Sequence, residues 1–480
     1  MNYFKTSTHN GRGASWVFLF VCGGLSALIW WGEESNKIST LACALCVCGI
    51  AGWIVQFAHR HNACADKNLW LRMIGIRILL ATILIGLFWY KSDLSHKNSS
   101  MQIDGMGFDP VRWDEMGEQL AKQGIFGFSK DVYRYGKEGL IYYIASIYSI
   151  FGVSCVYVAW FNVLIAVATL LLLTYWLRMH FGSQSRWDLM AYGLFIPESL
   201  WYGSLILKEV HNGFFFVLFM VCYDRVFLNA SIIKSKKKWI IYIILAIIGI
   251  FIFQRMHFVT MIGFVVFINI MFVRSKGSFS NIFIIGLIFG CILASEHLFT
   301  SNAELISNEN VQIQDAVLRG SDTFATDNSI NTILIGKDIL QKAIFSIPRT
   351  IFLQVTPFPR LEIWSYWGSV DDWLAMGNTA SRLSVILLLI LSPALVAISV
   401  KAFTNSEASL ARVPLSMYVA CMFAMANGVM MFHERWRSSL WPIWLALILI
   451  GWPYRKEFNW IISVVPTGGL LLFYLLKSMS

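Results

Sequence analysis

Three aspartates lie close together in a polar stretch between apolar runs, and a carboxylate in such a place is a candidate general base. Asp104, Asp109 and Asp114 all fall within residues 104–124. Asp109 followed by Pro110 predicts a helix start, with the carboxylate as N-cap and proline at the first helical position. Asp114 is then a first-turn acid that complements the helix dipole. The sequence leaves open which of the three acts as a base and which are only structural.

The helix predicted after Asp109 has one apolar face. Its apolar and small residues recur at i, i+3, i+4 and i+7, the spacing of an amphipathic helix, and are Trp113, Met116, Gly117 and Leu120. Gly124 is expected to end the helix. We therefore expect a helix on the outer membrane surface with Asp109 at its head.

A second group of residues suited to chemistry is cationic and lies at the predicted outer ends of apolar runs. A guanidinium donates two hydrogen bonds at once to phosphate oxygens, so cations that converge from several connections favour binding of a lipid phosphate. Each cation taken alone is equally explained as an anchor that extends to the interface. The candidate phosphate-binding residues are Lys208, His211, Arg255, His257, His433, Arg435 and Arg437, with the acids Glu209 and Glu434 beside them.

Apolar runs dominate the 480-residue chain and must position both groups. Apolar residues make up 57% of the sequence and charged residues 14%, and the mean hydropathy is +0.61. A helical crossing needs roughly 20 apolar residues, and long non-alternating runs exclude a barrel, so the chain is predicted to be an all-α, polytopic bundle of about 13 crossings. The net charge of +10 fits cytoplasmic loops, and no basic stripe with interleaved aromatics indicates a nucleic-acid partner.

The distribution of Lys and Arg predicts which side of the membrane each connection faces. If the apolar stretch 139–152 crossed, the loop with Arg178 and Arg186 would lie outside, as would the lysines of 234–238. If that stretch instead lies along the outer surface, nearly every short basic loop falls inside. The predicted crossings are about 14–32, 39–58, 71–90, 155–177, 187–207, 210–228, 239–254, 257–273, 281–297, 381–400, 413–432, 437–453 and 457–477.

This parity predicts one integral membrane domain over residues 1–480, with a cytoplasmic N-terminus and two large outer regions. The first is a loop over 91–153 that carries interfacial helices. The second, 298–380, holds nine acidic and five basic side chains, a balance that suits the outer face. Glu198 is the one strong mid-bilayer charge that the sequence analysis identifies, and a helix-binding role is favoured for it over catalysis.

The order of these features resembles the C-type (GT-C) membrane glycosyltransferases that use polyprenyl-phosphate-linked donors. Their bacterial members open the first large outer loop with Asp, then Tyr four residues on, then Ala four further. Here Asp109, Trp113 and Gly117 hold those spacings. The stretch 135–153 resembles the segment of that family that ends in a short helix and Phe-Gly.

Two further segments carry the resemblance. Glu209 matches an acidic residue that the family often places at the outer end of a later crossing. Residues 433–437, His-Glu-Arg-Trp-Arg, together with Pro442, resemble a late Arg-aromatic-Arg segment that precedes a final crossing. The similarity covers roughly residues 104–225 and 430–455, and its motifs are loose.

The resemblance implies an enzyme of the bacterial inner membrane that moves a sugar from a polyprenyl phosphate to a glycan, lipid or protein acceptor on the outer, periplasmic face. Asp109 is the expected general base and the cations are the expected ligands of the leaving phosphate. A single displacement would invert the anomeric centre. No cofactor is required by any ligand spacing, although Asp109 and Glu209 could together hold a divalent cation, Mg²⁺ or Mn²⁺.

Two other functions compete with single-sugar transfer. A lipid-linked polysaccharide polymerase or ligase, of the O-antigen or capsule kind, also has many crossings, outer Arg and His residues and a sizeable late outer loop. A transporter or flippase would show inverted repeats and broken helices around buried midplane charges. No internal repeat is visible in the sequence, so the transferase is favoured.

Overall fold

The computed structural model describes residues 13–30, 37–98, 109–124, 138–228, 237–253, 258–271, 373–428 and 434–461. Helices account for nearly all of these residues, and no strand occurs among them, so the predicted all-α class is confirmed. The predicted outer region 298–380 lies outside the described residues except for its last eight positions. The same holds for the predicted crossing 281–297 and for most of 457–477.

The helices follow one another along the chain with short connections. They are α1 Ala14–Trp30, α2 Lys37–Arg60, α3 Lys67–Asn98, α4 Asp109–Gln123, α5 Glu138–Phe151, α6 Cys155–Phe181, α7 Pro197–Tyr202, α8 Glu209–Tyr223, α9 Lys237–Phe253, α10 Phe258–Met271, α11 Trp373–Thr404, α12 Arg412–Gly428 and α13 Trp441–Gly451. Segments of 3₁₀-helix cover Ser185–Phe195, Ser406–Ala411, Glu434–Leu440 and Trp452–Phe458, and a π-helical turn, Asp224–Leu228, extends α8.

Five helices in the described part of the chain are long and apolar enough to cross a membrane, as expected of a membrane protein. They are Lys37–Arg60, Lys67–Trp89, Cys155–Phe181, Glu209–Leu228 and Thr379–Thr404. The predicted crossings 14–32, 239–254, 257–273 and 413–432 form shorter helices of 14 to 17 residues. The predicted count of about 13 crossings therefore stays a prediction.

Two predicted crossings are not continuous α-helices, and for these the prediction is wrong. Residues 187–207 fold as a 3₁₀ segment that stops before Pro197, then the six-residue α7, then non-helical chain. Proline has no N–H to continue a helix but fits the first position of a new one, so the helix restarts there. Residues 437–453 likewise divide between a 3₁₀ segment and α13, which has 11 residues.

The chain folds as two compact units. The first comprises residues 1–129, 137–221 and 362–380, and the second comprises 130–136, 222–361 and 381–480. The first unit therefore contains the helices from α1 to α7 and most of α8. The second contains α9, α10, α12, α13 and most of α11.

Hydrogen bonds define the two ends of the helices in the first unit. At one end the Trp30 indole donates to Ser154 Oγ at 3.1 Å, and the hydroxyls of Thr40 and Tyr157 lie 2.8 Å apart. At the other end the backbone N–H groups of Ala65 and Asp66 donate to the Asp188 carboxylate, each at 3.1 Å. We call these the Ser154 end and the Asp188 end.

Helix α5 makes no net crossing within the first unit. The chain enters α3 at the Asp188 end and, after α4 and α5, starts α6 at the Ser154 end. Phe151, the last residue of α5, lies 6.3 Å from the Tyr157 ring at this same end. The arrangement agrees with the parity that the basic residues predict for 139–152. Which membrane face each end meets stays a prediction.

Basic loops also come together within the second unit. The Arg412 guanidinium donates to the carbonyl of Ala402 at 2.7 Å and to that of Met271 at 3.1 Å. Lys401 Nζ lies 2.9 Å from a carboxylate oxygen of Glu457. The ends of α10 and α11, the start of α12 and the segment after α13 therefore share one end, as expected if all of them face the same side.

The Asp188 carboxylate is expected to contribute strongly to stability. It is 3% exposed and also accepts from the Trp70 indole at 3.1 Å, with Arg178 at 3.8 Å. Asp188→Ala leaves those donors buried without their acceptor and should lower the free energy of unfolding by about 3 kcal/mol or more. Asp66→Ala, which removes an exposed carboxylate that accepts from Leu69 N–H, should cost about 1 kcal/mol. Thermal unfolding in detergent measures both, and equal losses would contradict this role for Asp188.

Candidate functional site

Helix α4 forms where the sequence predicts it. It begins at Asp109, and Gly124, at φ +90°, follows its last residue. Trp113 and Leu120 are 2% and 1% exposed, and Gly117 is buried between them. A Cβ at Gly117 would collide with the Ile144 side chain of α5. The predicted apolar face of α4 is thus the face that packs against α5.

This packing brings Asp114 against Tyr148. The Tyr148 hydroxyl donates a hydrogen bond to Asp114 Oδ1, and Tyr148 itself is 3% exposed. The Asp114 carboxyl is half-buried, which leaves part of it open to a substrate while the tyrosine holds one oxygen. A carboxylate held by a neighbouring hydroxyl keeps its second oxygen in a fixed direction, as proton abstraction requires.

Burial raises the pKa of Asp114 from 3.8 to about 6. The Tyr148 hydrogen bond acts in the opposite direction because it stabilises the ionised form, while the charges of Glu118 and Glu115 add to the rise. A base is most effective when its pKa lies close to the working pH. Asp114 is therefore ionised at neutral pH and is a stronger base than an ordinary aspartate.

A second polar cluster lies where α8 begins. Lys208, Glu209 and His211 are 5%, 1% and 4% exposed. The first turn of a helix favours anions because its N–H groups and dipole point outwards. Lys208 and His211 add cationic or hydrogen-bonding side chains to that turn. Buried charged residues inside a membrane protein are a default hypothesis for a functional site.

Helix α5 contacts both groups. The edge of the Tyr143 ring meets the His211 ring at a centroid distance of 4.5 Å, and the Tyr143 hydroxyl donates to Asn162 Oδ1 at 3.2 Å. Tyr143 and Tyr148 are five residues apart, about 7.5 Å along the helix axis. One short helix therefore contacts the carboxyl of α4 through Tyr148 and the cluster of α8 through Tyr143.

The other predicted site residues fall into three groups. Arg437 is fully buried in the second unit, so its convergence with Asp114 stays a prediction. The backbones of Asp109, Glu434 and Arg435 are described, but their side chains are not. Asp104, Arg255, His257 and His433 lie outside the described residues.

Sequence reasoning missed the partners of these residues. Nothing in the sequence links Asp114 to Tyr148, 34 positions away, because the pairing depends on how α4 packs on α5. Arg77 was also missed as a buried mid-helix charge, although a lone arginine within an apolar run was a visible signal. It is 1% exposed, and Glu198 is fully buried as well.

Among the described side chains, no three from His, Cys, Asp and Glu are grouped as ligands for a metal ion. The predicted pairing of Asp109 with Glu209 on a divalent cation stays a prediction, since the Asp109 side chain is not described.

Comparison with known proteins adds no relative. No protein-family model matches the chain, and neither a curated protein nor a solved structure does. The function is therefore argued from the residues of this chain.

Proposed function

We propose that this protein is a membrane glycosyltransferase that moves one sugar from a polyprenyl-phosphate donor to an acceptor hydroxyl or amine. The observation that carries the proposal is the pairing of a half-buried Asp114, with a pKa of about 6, with Tyr148, on the same helix α5 that contacts His211. A base and a cluster suited to an anion are the two parts that such a transfer needs.

The reaction is a single displacement at the anomeric carbon. The acceptor oxygen or nitrogen bonds to that carbon as the bond from the carbon to the phosphate oxygen breaks. The acceptor proton passes to Asp114, and the polyprenyl phosphate leaves with the bonding electron pair. Lys208 and His211 stabilise the charge on the leaving phosphate, with Arg437 proposed as a further ligand. The attack inverts the anomeric configuration.

The proposed location follows from the predicted parity. We place the protein in a bacterial inner membrane with the Ser154 end of the first unit at the outer face. A donor lipid lying in the outer leaflet would then present its phosphate at the depth of the α8 first turn, and the acceptor would arrive from the aqueous side.

A change of Tyr148 to Phe should shift the pH dependence of the reaction. In the wild type, kcat/KM should fall about tenfold per pH unit below about 6, as Asp114 becomes protonated. Tyr148→Phe removes the hydrogen bond that favours the ionised carboxylate, so its pKa rises further and the fall begins at higher pH, by about one unit. The measurement is a pH–rate profile. Tyr142→Phe, the same change on the same helix, should leave the profile in place, and an unmoved midpoint in Tyr148→Phe would exclude Asp114 as the titrating group.

The nearest rival function is polymerisation or ligation of lipid-linked glycans. The length of the product separates the two. Purified protein in liposomes is given a polyprenyl-phosphate sugar and an extract of cell-envelope acceptors, and the products are sized. Addition of one sugar per acceptor supports the transferase, whereas a ladder of repeats or transfer of a whole glycan supports the rival.

A further inference from the structure

The chain between α7 and α8 is an interruption buried inside the first unit. We call residues Gly203–Lys208 the break segment, and every residue in it is buried. Non-helical backbone within a membrane protein must find its hydrogen-bond partners inside the protein. Two side chains from other helices supply them here, Arg77 from α3 and Asn162 from α6.

Arg77 holds the first end of the break segment. Its Nη1 donates to Ser204 Oγ at 2.7 Å, and its Nη2 donates to the carbonyls of Ser199 and Leu200 at 3.2 and 3.1 Å. These carbonyls lie at the C-terminal end of α7, where a cation is favoured. A Cβ at Gly203 would come within 3.0 Å of Nη2, so glycine allows this approach.

The position of Arg77 makes a purely incidental role improbable on physical grounds. It lies ten residues into α3, about 15 Å along the helix, near the middle of a crossing. A charge at that depth is costly unless it serves a specific set of acceptors. The planar guanidinium reaches three acceptors at once, which the single ammonium of a lysine at the same place does less well.

Asn162 holds the second part of the break segment and connects it to the candidate site. Its Nδ2 donates to the Leu205 carbonyl at 2.9 Å, and its Oδ1 accepts from the Tyr143 hydroxyl at 3.2 Å. The Tyr143 ring in turn packs edge-on against His211. The break segment is thus fixed to the helix that also contacts the first turn of α8.

We infer that Arg77 and Asn162 are positioning residues for the donor phosphate: by holding the break segment, they set Lys208 and His211 where α8 begins. The inference rests on the proposed function for the identity of the ligand. Neither residue touches the reacting atoms, so their loss should weaken binding of the phosphate-bearing lipid and leave the proton transfer to Asp114 intact.

The test compares Arg77→Lys and Asn162→Leu with the wild type in two assays. One assay measures the affinity for polyprenyl phosphate, without sugar, from the change in tryptophan fluorescence. The other measures KM, kcat and the pH profile of sugar transfer. Each variant should bind polyprenyl phosphate about tenfold more weakly and show a matching rise in KM. Its kcat should stay within about threefold of the wild type, with the pH midpoint unmoved.

Arg412→Lys is the matched control, because Arg412 also donates to two backbone carbonyls but belongs to the second unit. It should leave both assays unchanged. If Arg77→Lys fails to fold, Asn162→Leu decides. Wild-type affinity and KM in the folded variants, whatever their thermal stability, would overturn the inference.

The two proposals can fail separately. A wild-type protein that binds polyprenyl phosphate, loses affinity on Arg77→Lys and yet transfers no sugar would sustain the positioning role and refute the transferase. A transferase with normal KM in both variants would do the reverse. A wild-type protein that binds no polyprenyl phosphate would refute both.

Discussion

Replacement of Asp114 by asparagine is expected to lower kcat about 10²–10⁴-fold while the protein remains folded. Asparagine has nearly the same shape, and its amide oxygen can still accept the hydrogen bond from Tyr148. It cannot take the acceptor proton, so the chemical step loses its base. The measurement is the initial rate of sugar transfer at saturating donor in liposomes.

Two neighbouring acids control for a mere change of charge. Glu115 is exposed on the same helix, and Glu115→Gln should leave the rate near that of the wild type. Asp109→Asn removes the charge at the head of α4 but keeps a good N-cap, so the helix should still form. A large loss in Asp109→Asn together with an active Asp114→Asn would move the base to Asp109, the residue that the sequence pattern favours.

The stability of Asp114→Asn gives an independent check on the role of Asp114. The pKa of Asp114 in the folded protein, about 6, lies above its ordinary value of 3.8, so the fold favours the protonated form. The stability is complete below about pH 4 and is lost as the pH rises through 6, by about 3 kcal/mol in total. Asn cannot ionise, so the variant should be more thermostable than the wild type above pH 6 and not below pH 4. A variant that is less stable at every pH would identify Asp114 as structural.

Neutralisation of Lys208 should have the second largest effect on transfer. Lys208 is 5% exposed and directly precedes the first turn of α8. In Lys208→Gln the leaving phosphate loses a positive partner in a region of low dielectric, so kcat should fall about 10²-fold. The rate is measured under the same conditions as for Asp114→Asn, with thermal unfolding to confirm that the variant folds.

Lys122 provides the matched control for Lys208. It is an exposed lysine of α4 that pairs with Glu118 at 2.5 Å, so Lys122→Gln makes the same change of charge away from the cluster. Exposed pairs of this kind contribute less than about 1 kcal/mol, and transfer should be unaffected. Equal rates for Lys208→Gln and Lys122→Gln would remove Lys208 from the proposed phosphate site.

Local signals in the sequence predicted much of the fold around the site. Asp109 with Pro110 marked the first turn of α4, and the spacing of Trp113, Gly117 and Leu120 marked the face that packs on α5. Such features depend on neighbours within a few residues. The parity of the basic loops agrees with the ends of the helices in each unit because a single physical bias orients all connections.

Features that depend on packing between distant segments could not be predicted in the same way. The Asp114–Tyr148 pair depends on the register between α4 and α5, and the partners of Arg77 depend on where α7 ends against α3. The break before α8 was missed because average hydropathy over 187–207 suits a crossing, while a proline and a buried turn divide it. Pro197 was the available signal, since proline ends a preceding helix.

The most direct test of the transferase proposal is the stoichiometry of donor cleavage by the reconstituted wild-type protein. The donor carries one label in the sugar and another in the lipid, and an envelope extract supplies the acceptor. Transfer by this route releases one polyprenyl phosphate for each sugar that becomes attached to acceptor, and the new linkage has the inverted anomeric configuration. Intact donor after long incubation, or lipid release without attached sugar, would contradict it.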